Sequence, residues 1–138
     1  MPTRLPSNYR PSDKESFMNA RMREYFRRKL LAWKSELIRD SSQTLQHLQS
    51  ESQQEADIAD RASAETDRAV ELRTRDRERK LIAKIDAALK RLEQGTYGYC
   101  EETAEPIGLR RLEARPIATL SIDAQERHER MERAYRDD

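Results

Sequence analysis

Apolar residues recur in the first half of the chain at Met22, Phe26, Leu30, Trp33, Leu37 and Leu48, and in the second half at Leu72, Leu81, Ile82, Ile85, Leu89 and Leu92. The spacings 26/30/33/37 and 82/85/89/92 alternate between three and four. This is the narrow seam of a coiled-coil helix, not the wider stripe of a helix lying on a globular core. Each seam lies in a long run free of Pro and Gly, so nothing interrupts either helix. Two such helices on one chain, joined by a short polar connection, predict an antiparallel helical hairpin. At about 1.5 Å per residue, each arm reaches on the order of 50 Å.

The fold-back is expected in Glu55-Ala56-Asp57-Ile58-Ala59-Asp60-Arg61-Ala62, with the turn near 52–60 and the tip within 52–62. Because residues 55–64 hold neither Gly nor Pro, a loop and a nearly continuous helix both remain open there. The stretch 40–48 is poor in large apolar residues, so the hairpin should grow less stable toward its tip, packing rather than propensity being what holds such helices. Pro2, Pro6 and Pro11 predict a flexible, non-helical segment over 1–12. Ser12 with Glu15 reads as a capping box, placing the start of the first helix near Asp13. The second helix is expected from Arg61 to Gln94, with Gly95 as a left-handed stop. Beyond it, Gly98, Gly108, Pro106 and Pro116 mark a tightly turned segment of about 25 residues. Ser121 then caps a final helix over Ile122–Tyr135, with Asp123 in its first turn. The fold class is mainly α: a flexible 1–12, a long coiled-coil hairpin over 13–95, and a small lobe with a C-terminal helix over 96–138.

Composition narrows this picture. Charged residues are 38% and aromatics 6% of 138 residues, and the mean hydropathy is -1.08, too little apolar material for a thick core. Strong periodicity among the apolar residues that exist argues for thin helix-on-helix burial instead of disorder. Lys+Arg 27 against Asp+Glu 26 leaves a net charge of +1, which excludes a globally basic nucleic-acid binder. No apolar run approaches the roughly 20 residues of a membrane span, and the N-terminus lacks the apolar core of a secretory signal, so a cytoplasmic protein is expected. The lone Cys100 cannot form an internal disulfide, in keeping with a reducing compartment.

Candidate chemistry is sparse. His47 and His128 fall in separate helices without a Cys or Ser neighbour that would make a nucleophile pair, and phosphate-cradling glycine loops are absent, so no enzyme is expected. The charges of Arg73–Lys80 read as a solvated helix face laced with i,i+3 and i,i+4 pairs. Asp57 and Asp60 lie three apart; on a helix they share a face and can jointly approach a cation or a basic surface. Equally, acidic residues are favoured at the start of a helix by its dipole.

Several separated motifs, in one order, carry a resemblance. Asp57-x-x-Asp60-x-Ala62 at the tip is followed by Glu71-Leu72-Arg73-x-Arg75-Asp76-Arg77-Glu78-Arg79-Lys80-Leu81-Ile82. Then come Tyr97-Gly98-Tyr99-Cys100-Glu101 and Ile107-Gly108-Leu109-Arg110-Arg111-Leu112-Glu113-Ala114-Arg115-Pro116. From about Phe17 to the final helix the chain resembles the DksA/TraR family of bacterial regulators that enter the secondary channel of RNA polymerase. The resemblance implies a monomeric transcription initiation regulator with RNA polymerase as partner and no sequence-specific DNA binding. It would destabilise open complexes at ribosomal RNA promoters and act with guanosine tetraphosphate in the stringent response. Asp57, Asp60 and Ala62 would form the tip that reaches the polymerase active-site region. Arg77, Leu81, Lys84 and Arg115 would hold the nucleotide at the polymerase interface; a further basic position of relatives falls on neutral Gln125, with Arg127 nearby to compensate.

Family members carry a C-x2-C-x17-C-x2-C zinc site, whose positions fall here on Cys100, Thr103, Ser121 and Ala124. Three of four ligands are lost, so the expectation is a lobe that folds without zinc and binds no cofactor stoichiometrically. Its core would come from Tyr97, Tyr99, Ile107, Leu109, Leu112 and Leu120, with Thr103 and Ser121 bonding through their hydroxyls and Ala124 filling space. Cys100 is expected as a buried remnant and not a reactive thiol. Two other readings compete: a secondary-channel transcript-cleavage factor that uses the acidic tip to hold a second Mg²⁺, and a homo-oligomeric coiled-coil scaffold.

Overall fold

A computed structural model describes residues 3–52 and 58–136, with side chains for 3–43, 45–47 and 62–136. Four helices follow one another, α1 (Ala20–Ser52), α2 (Ile58–Gln94), α3 (Leu109–Ala114) and α4 (Ile122–Arg136). Among the described residues there is no strand, only an isolated antiparallel bridge between Tyr99 and Pro106. The chain divides into two compact units: Met1–Leu30 with Ala87–Asp138, called the lobe here, and Leu31–Asp86, called the arm.

Local signals set most helix ends. At α2 the stop is as expected: Gly95 takes φ 79 and the Thr96 N–H donates back to the Arg91 carbonyl at 2.9 Å. This six-to-one closure needs a residue without Cβ strain at Gly95. At α4 the Ser121 hydroxyl accepts the Ala124 N–H at 3.2 Å, the cap that the sequence foretells. The start of α1 differs from expectation. Ser12 and Glu15 form half of the box: the Ser12 N–H donates to Glu15 Oε2 at 3.0 Å, but Ser12 Oγ accepts from the Lys14 N–H at 3.2 Å and the Glu15 N–H goes to the Ser12 carbonyl at 3.1 Å. They close an isolated turn instead of a helix, because the chain passes through φ 53 at Met18. Met18 is buried, and Phe17 sits edge-on to Tyr99 with centroids 5.5 Å apart. Packing in the lobe thus overrides the local cap, and α1 begins at Ala20, not Asp13, capped by Asn19 Oδ1 on the Met22 N–H at 2.9 Å.

In the lobe, Met22, Phe26 and Leu30 of α1 are fully buried together with Ala88 of α2, Tyr97, Leu112 of α3 and Ala124 of α4. α3 is a helix that the sequence reading missed; its six residues are too few for periodicity to register. Of the lobe core expected from sequence, Tyr97, Ile107, Leu109 and Leu112 are buried, while Tyr99 and Leu120 are half-buried.

In the arm, α1 and α2 run antiparallel: moving forward along α1 from Lys34 to His47 moves the ion-pair partner backward along α2 from Asp86 to Glu71. Leu37 and Ile85 are buried here; Trp33, Leu81 and Ile82 are half-buried. Leu72, expected in the seam, is 51% exposed. Counting back from Ile85 by threes and fours puts the seam at Glu71, which turns Leu72 about 100° away from it. The side chain of Leu48 lies outside the described residues. α2 begins at Ile58, three residues before the expected Arg61, with no Gly or Pro to delay it. The connection over 53–57 lies outside the described residues.

Candidate functional site

The residues at the four degenerate zinc positions come together. Thr96 to Tyr99 lead into a tight loop in which the Cys100 N–H donates to the Glu105 carbonyl at 2.8 Å and the Ala104 N–H returns to the Cys100 carbonyl at 2.9 Å. Ala104 pays for this tightness with φ 62. The loop is anchored outward by the Glu101 N–H on the Thr119 carbonyl at 2.9 Å and the Ile107 N–H on the Gly98 carbonyl at 2.8 Å. Burial, with Cys100 3% exposed, by itself pushes the thiol up. Donation to the sulfur by the Ser121 N–H, the Thr103 hydroxyl and the Thr103 and Glu102 N–H groups outweighs it and brings the thiol down to about 6. Cys100 is therefore buried, as expected, with a thiol more acidic than that of an ordinary cysteine. Ala124 is fully buried and supplies no donor atom beyond its N–H, which goes to Ser121 Oγ.

Arg77, Leu81 and Lys84 stand at i, i+4 and i+7 on α2, so they share one face of the arm. Arg77 and Lys84 are exposed and Leu81 half-buried. Arg115 belongs to the lobe: it is the exposed C-cap of α3, its N–H on the Arg111 carbonyl at 2.7 Å. Gln125 is half-buried and donates to Glu129 Oε1 at 3.3 Å, while Arg127 is exposed. At the tip, Ala62 is exposed on α2. Asp60 falls in the first turn of α2, where the helix dipole favours a carboxylate, but its side chain, like all of Asp57, lies outside the described residues.

Other charged groups escaped the sequence reading. Glu24 is buried within α1, held by a forked pair of bonds from Arg27 at 2.8 Å each and by Arg28 Nε at 2.9 Å. The Arg27 contact, against the opposing effect of burial and with help from Arg28, takes its carboxyl down to about 2. The i,i+3 and i,i+4 spacing was the available signal. Glu113 of α3 accepts from Lys29 Nζ at 2.7 Å and from the Tyr25 hydroxyl at 3.0 Å, tying α3 to α1 inside the lobe. His128, expected as an exposed helix residue, is half-exposed and bonded to Glu102 of the cysteine loop.

Comparison with known proteins places this geometry. Residues 22–92 match the family profile "DnaK suppressor protein DksA, N-terminal domain", and residues 95–130 match "Prokaryotic dksA/traR C4-type zinc finger". A Caulobacter vibrioides protein named RNA polymerase-binding transcription factor DksA is 69% identical over 132 residues, 96% of this chain and 93% of the relative. The protein of that name from Escherichia coli K12 is 46% identical over 115 residues, 83% of this chain and 76% of the relative. The solved structure of transcription factor DksA2 from Pseudomonas aeruginosa is similar with a TM-score of 0.79 and 46% identity, covering 85% of this chain and 90% of that one.

The second profile implies a zinc ion held by four cysteines. The residues present do not fit it. A structural zinc takes four thiolate or imidazole ligands, and this loop supplies one sulfur, two hydroxyls and the methyl of Ala124. Among the described residues, no cluster of three or more His, Cys, Asp or Glu side chains stands ready to hold a metal.

Proposed function

We propose that this chain, which belongs to the DksA family, binds RNA polymerase and regulates transcription initiation from within the secondary channel, without catalytic activity of its own. The observation that carries this reading is the 69% identity, over nearly the full length of both chains, to an RNA polymerase-binding transcription factor. The arm of two antiparallel helices gives it a physical means. A slender hairpin carries Asp57, Asp60 and Ala62 at its fold-back toward the polymerase active-site region, where little water screens the two carboxylates from Mg²⁺ and basic groups. Binding then biases the polymerase away from the stable open complex. The shift is limited to the difference in affinity of the regulator for the two polymerase states.

Guanosine tetraphosphate acts as co-regulator in this reading. Arg77 and Arg115 offer forked donors to its phosphates, Lys84 a point charge, and Leu81 an apolar contact. The neutral Gln125 removes one cation from the set that relatives present. Coupling free energies between two such ligands run at roughly 1–3 kcal/mol. The lobe performs its part as a metal-free body: the Cys100 sulfur and its ring of donors take the place of the ion. The protein works as a cytoplasmic monomer, its two long helices paired within one chain.

The deciding experiment is transcription in vitro from a ribosomal RNA promoter with purified polymerase, with and without the nucleotide, in the presence of a chelator. Inhibition that the nucleotide deepens and the chelator spares is the expected result. Release of short RNA fragments from backtracked complexes would replace this reading with transcript cleavage, and concentration-dependent dimerisation in sedimentation would favour a scaffold.

A further inference from the structure

Along α2, counting back from the buried Ile85 by threes and fours, the seam positions are Ile82, Glu78, Arg75, Glu71, Arg68 and Ala64, all half-buried. On α1 the matching positions after Leu37 are Ser41 and Leu45, again half-buried. Charges thus occupy the seam while apolar side chains face out: Ile38 is 49% exposed, Val70 48% and Leu72 51%. Glu71 Oε1 meets His47 Nδ1 at 3.0 Å, but Glu71 Oε2 and Glu78 Oε2 are closed off from solvent with no hydrogen-bond partner. A carboxylate oxygen in that position gives up hydration without gaining a hydrogen bond, which weakens the closed pair of helices.

We infer that the arm beyond Leu37 and Ile85, over residues 38–47 and 62–84, is an opening unit of its own. Its helices part and re-pair while the lobe stays folded, and the carboxylates of Glu71 and Glu78 set the balance. In the closed state no described side chain of the seam beyond Leu37 and Ile85 is fully buried, so local opening lies far below global unfolding in free energy. A second consequence rests on the polymerase-binding reading: a partner that accepts only the closed hairpin binds more weakly in proportion to the open fraction.

Native-state hydrogen exchange on the full chain tests the first claim without polymerase. Amides of 64–82 are expected to exchange at least roughly tenfold faster than those of 88–94 in the same helix, with a shared denaturant dependence smaller than that of global unfolding. Glu78→Leu is expected to slow exchange in the arm by roughly tenfold and leave lobe amides unchanged. Arm and lobe amides exchanging together, or an arm indifferent to Glu78→Leu in a folded monomer, overturns the inference. Should Glu78→Leu associate through its new apolar seam, Glu78→Gln decides instead: slower arm exchange supports the opening unit and an unchanged rate overturns it. Polymerase affinity of the same variants is measured separately. Tighter binding that follows the slower exchange supports the link to partner binding; slower exchange with unchanged affinity overturns that link alone, and absence of any polymerase binding by the unaltered chain overturns the polymerase reading instead.

Discussion

The lobe and the arm are made from the same two helices, yet they are built on opposite terms. Within the lobe, α1 buries Met22, Phe26 and Leu30, and α2 buries Ala88 and Leu92. Within the arm, the same helices bury Leu37 and Ile85 near the lobe end of the sequence, and no described side chain in 38–47 or 62–84 is buried. What differs is cover: the lobe folds residues 97–124 over its helix ends, whereas the arm has one helix facing another across a charged seam. Burial decides where the free energy of folding resides. The lobe is the stable body, and the arm is free to carry residues chosen for a partner.

Changes to one unit should therefore act on stability, and changes to the other on activity. The largest effect is expected from Phe26→Ala, which empties a fully buried ring site beside Tyr97, their centroids 5.6 Å apart. A loss of roughly 3–5 kcal/mol is expected, read as a fall in Tm on the order of 10 °C. Leu72→Ala in the arm, equally apolar but half-exposed, should move the same transition by no more than about 0.5 kcal/mol in stability. Comparable losses for the two would erase the distinction.

Two changes in the arm sharpen it from the side of function. Asp60→Asn should abolish promoter inhibition in the transcription assay while polymerase binding and the thermal transition stay as they were. Loss of binding by a folded variant would mean that the tip anchors the complex and does not act within it. Lys84→Ala has the milder expected effect: a response to guanosine tetraphosphate weakened by roughly tenfold, with inhibition in its absence largely kept. Equal loss of both would remove Lys84 from the nucleotide site.

The lobe carries its own titration. Cys100 ordinarily ionises at 9.0 and in the folded lobe at about 6. Above pH 9 both folded and unfolded chains hold a thiolate. As pH falls from 9 to 6, the unfolded chain takes up a proton that the folded one refuses, so the stability contributed by the thiolate declines across that window and changes no further below it. The difference in stability between the protein and Cys100→Ala should shrink as the pH falls from 9 to 6. A difference independent of pH would mean a neutral thiol packed as an ordinary apolar group.

How much of this could be read in the sequence follows the same division. Seam spacing marks both long helices, Gly95 and Ser121 mark their punctuation, and the spacing of four degenerate zinc positions marks the loop around Cys100. These are local or periodic signals. Part of what failed depended on contacts distant in sequence. Ser12 and Glu15 make one bond of a capping box, but Met18 and Phe17 pack within the lobe and displace the helix start to Ala20. Leu72 was assigned to the seam because it is apolar, although strict spacing gives that place to Glu71. The ring of donors on Cys100 was invisible because backbone N–H groups carry no signature in sequence, and the buried Glu24 read as one more charge among many.

The smallest effect expected anywhere in the molecule concerns metal. A C4 finger is held by its ion, and a chelator normally unfolds it. Here the positions of three ligands hold Thr103, Ser121 and Ala124, which leaves one sulfur where a structural zinc takes four ligands. The loop keeps its shape through main-chain bonds, Cys100 to Glu105 and Ala104 to Cys100, which need no ion. The thermal transition should therefore be unmoved by a chelator, and metal analysis should find no stoichiometric zinc in the purified protein. A chelator that lowered the transition by several degrees would show that the lobe borrows stability from a bound cation after all, and the contrast between a self-sufficient lobe and a partner-dependent arm would fail at its first term.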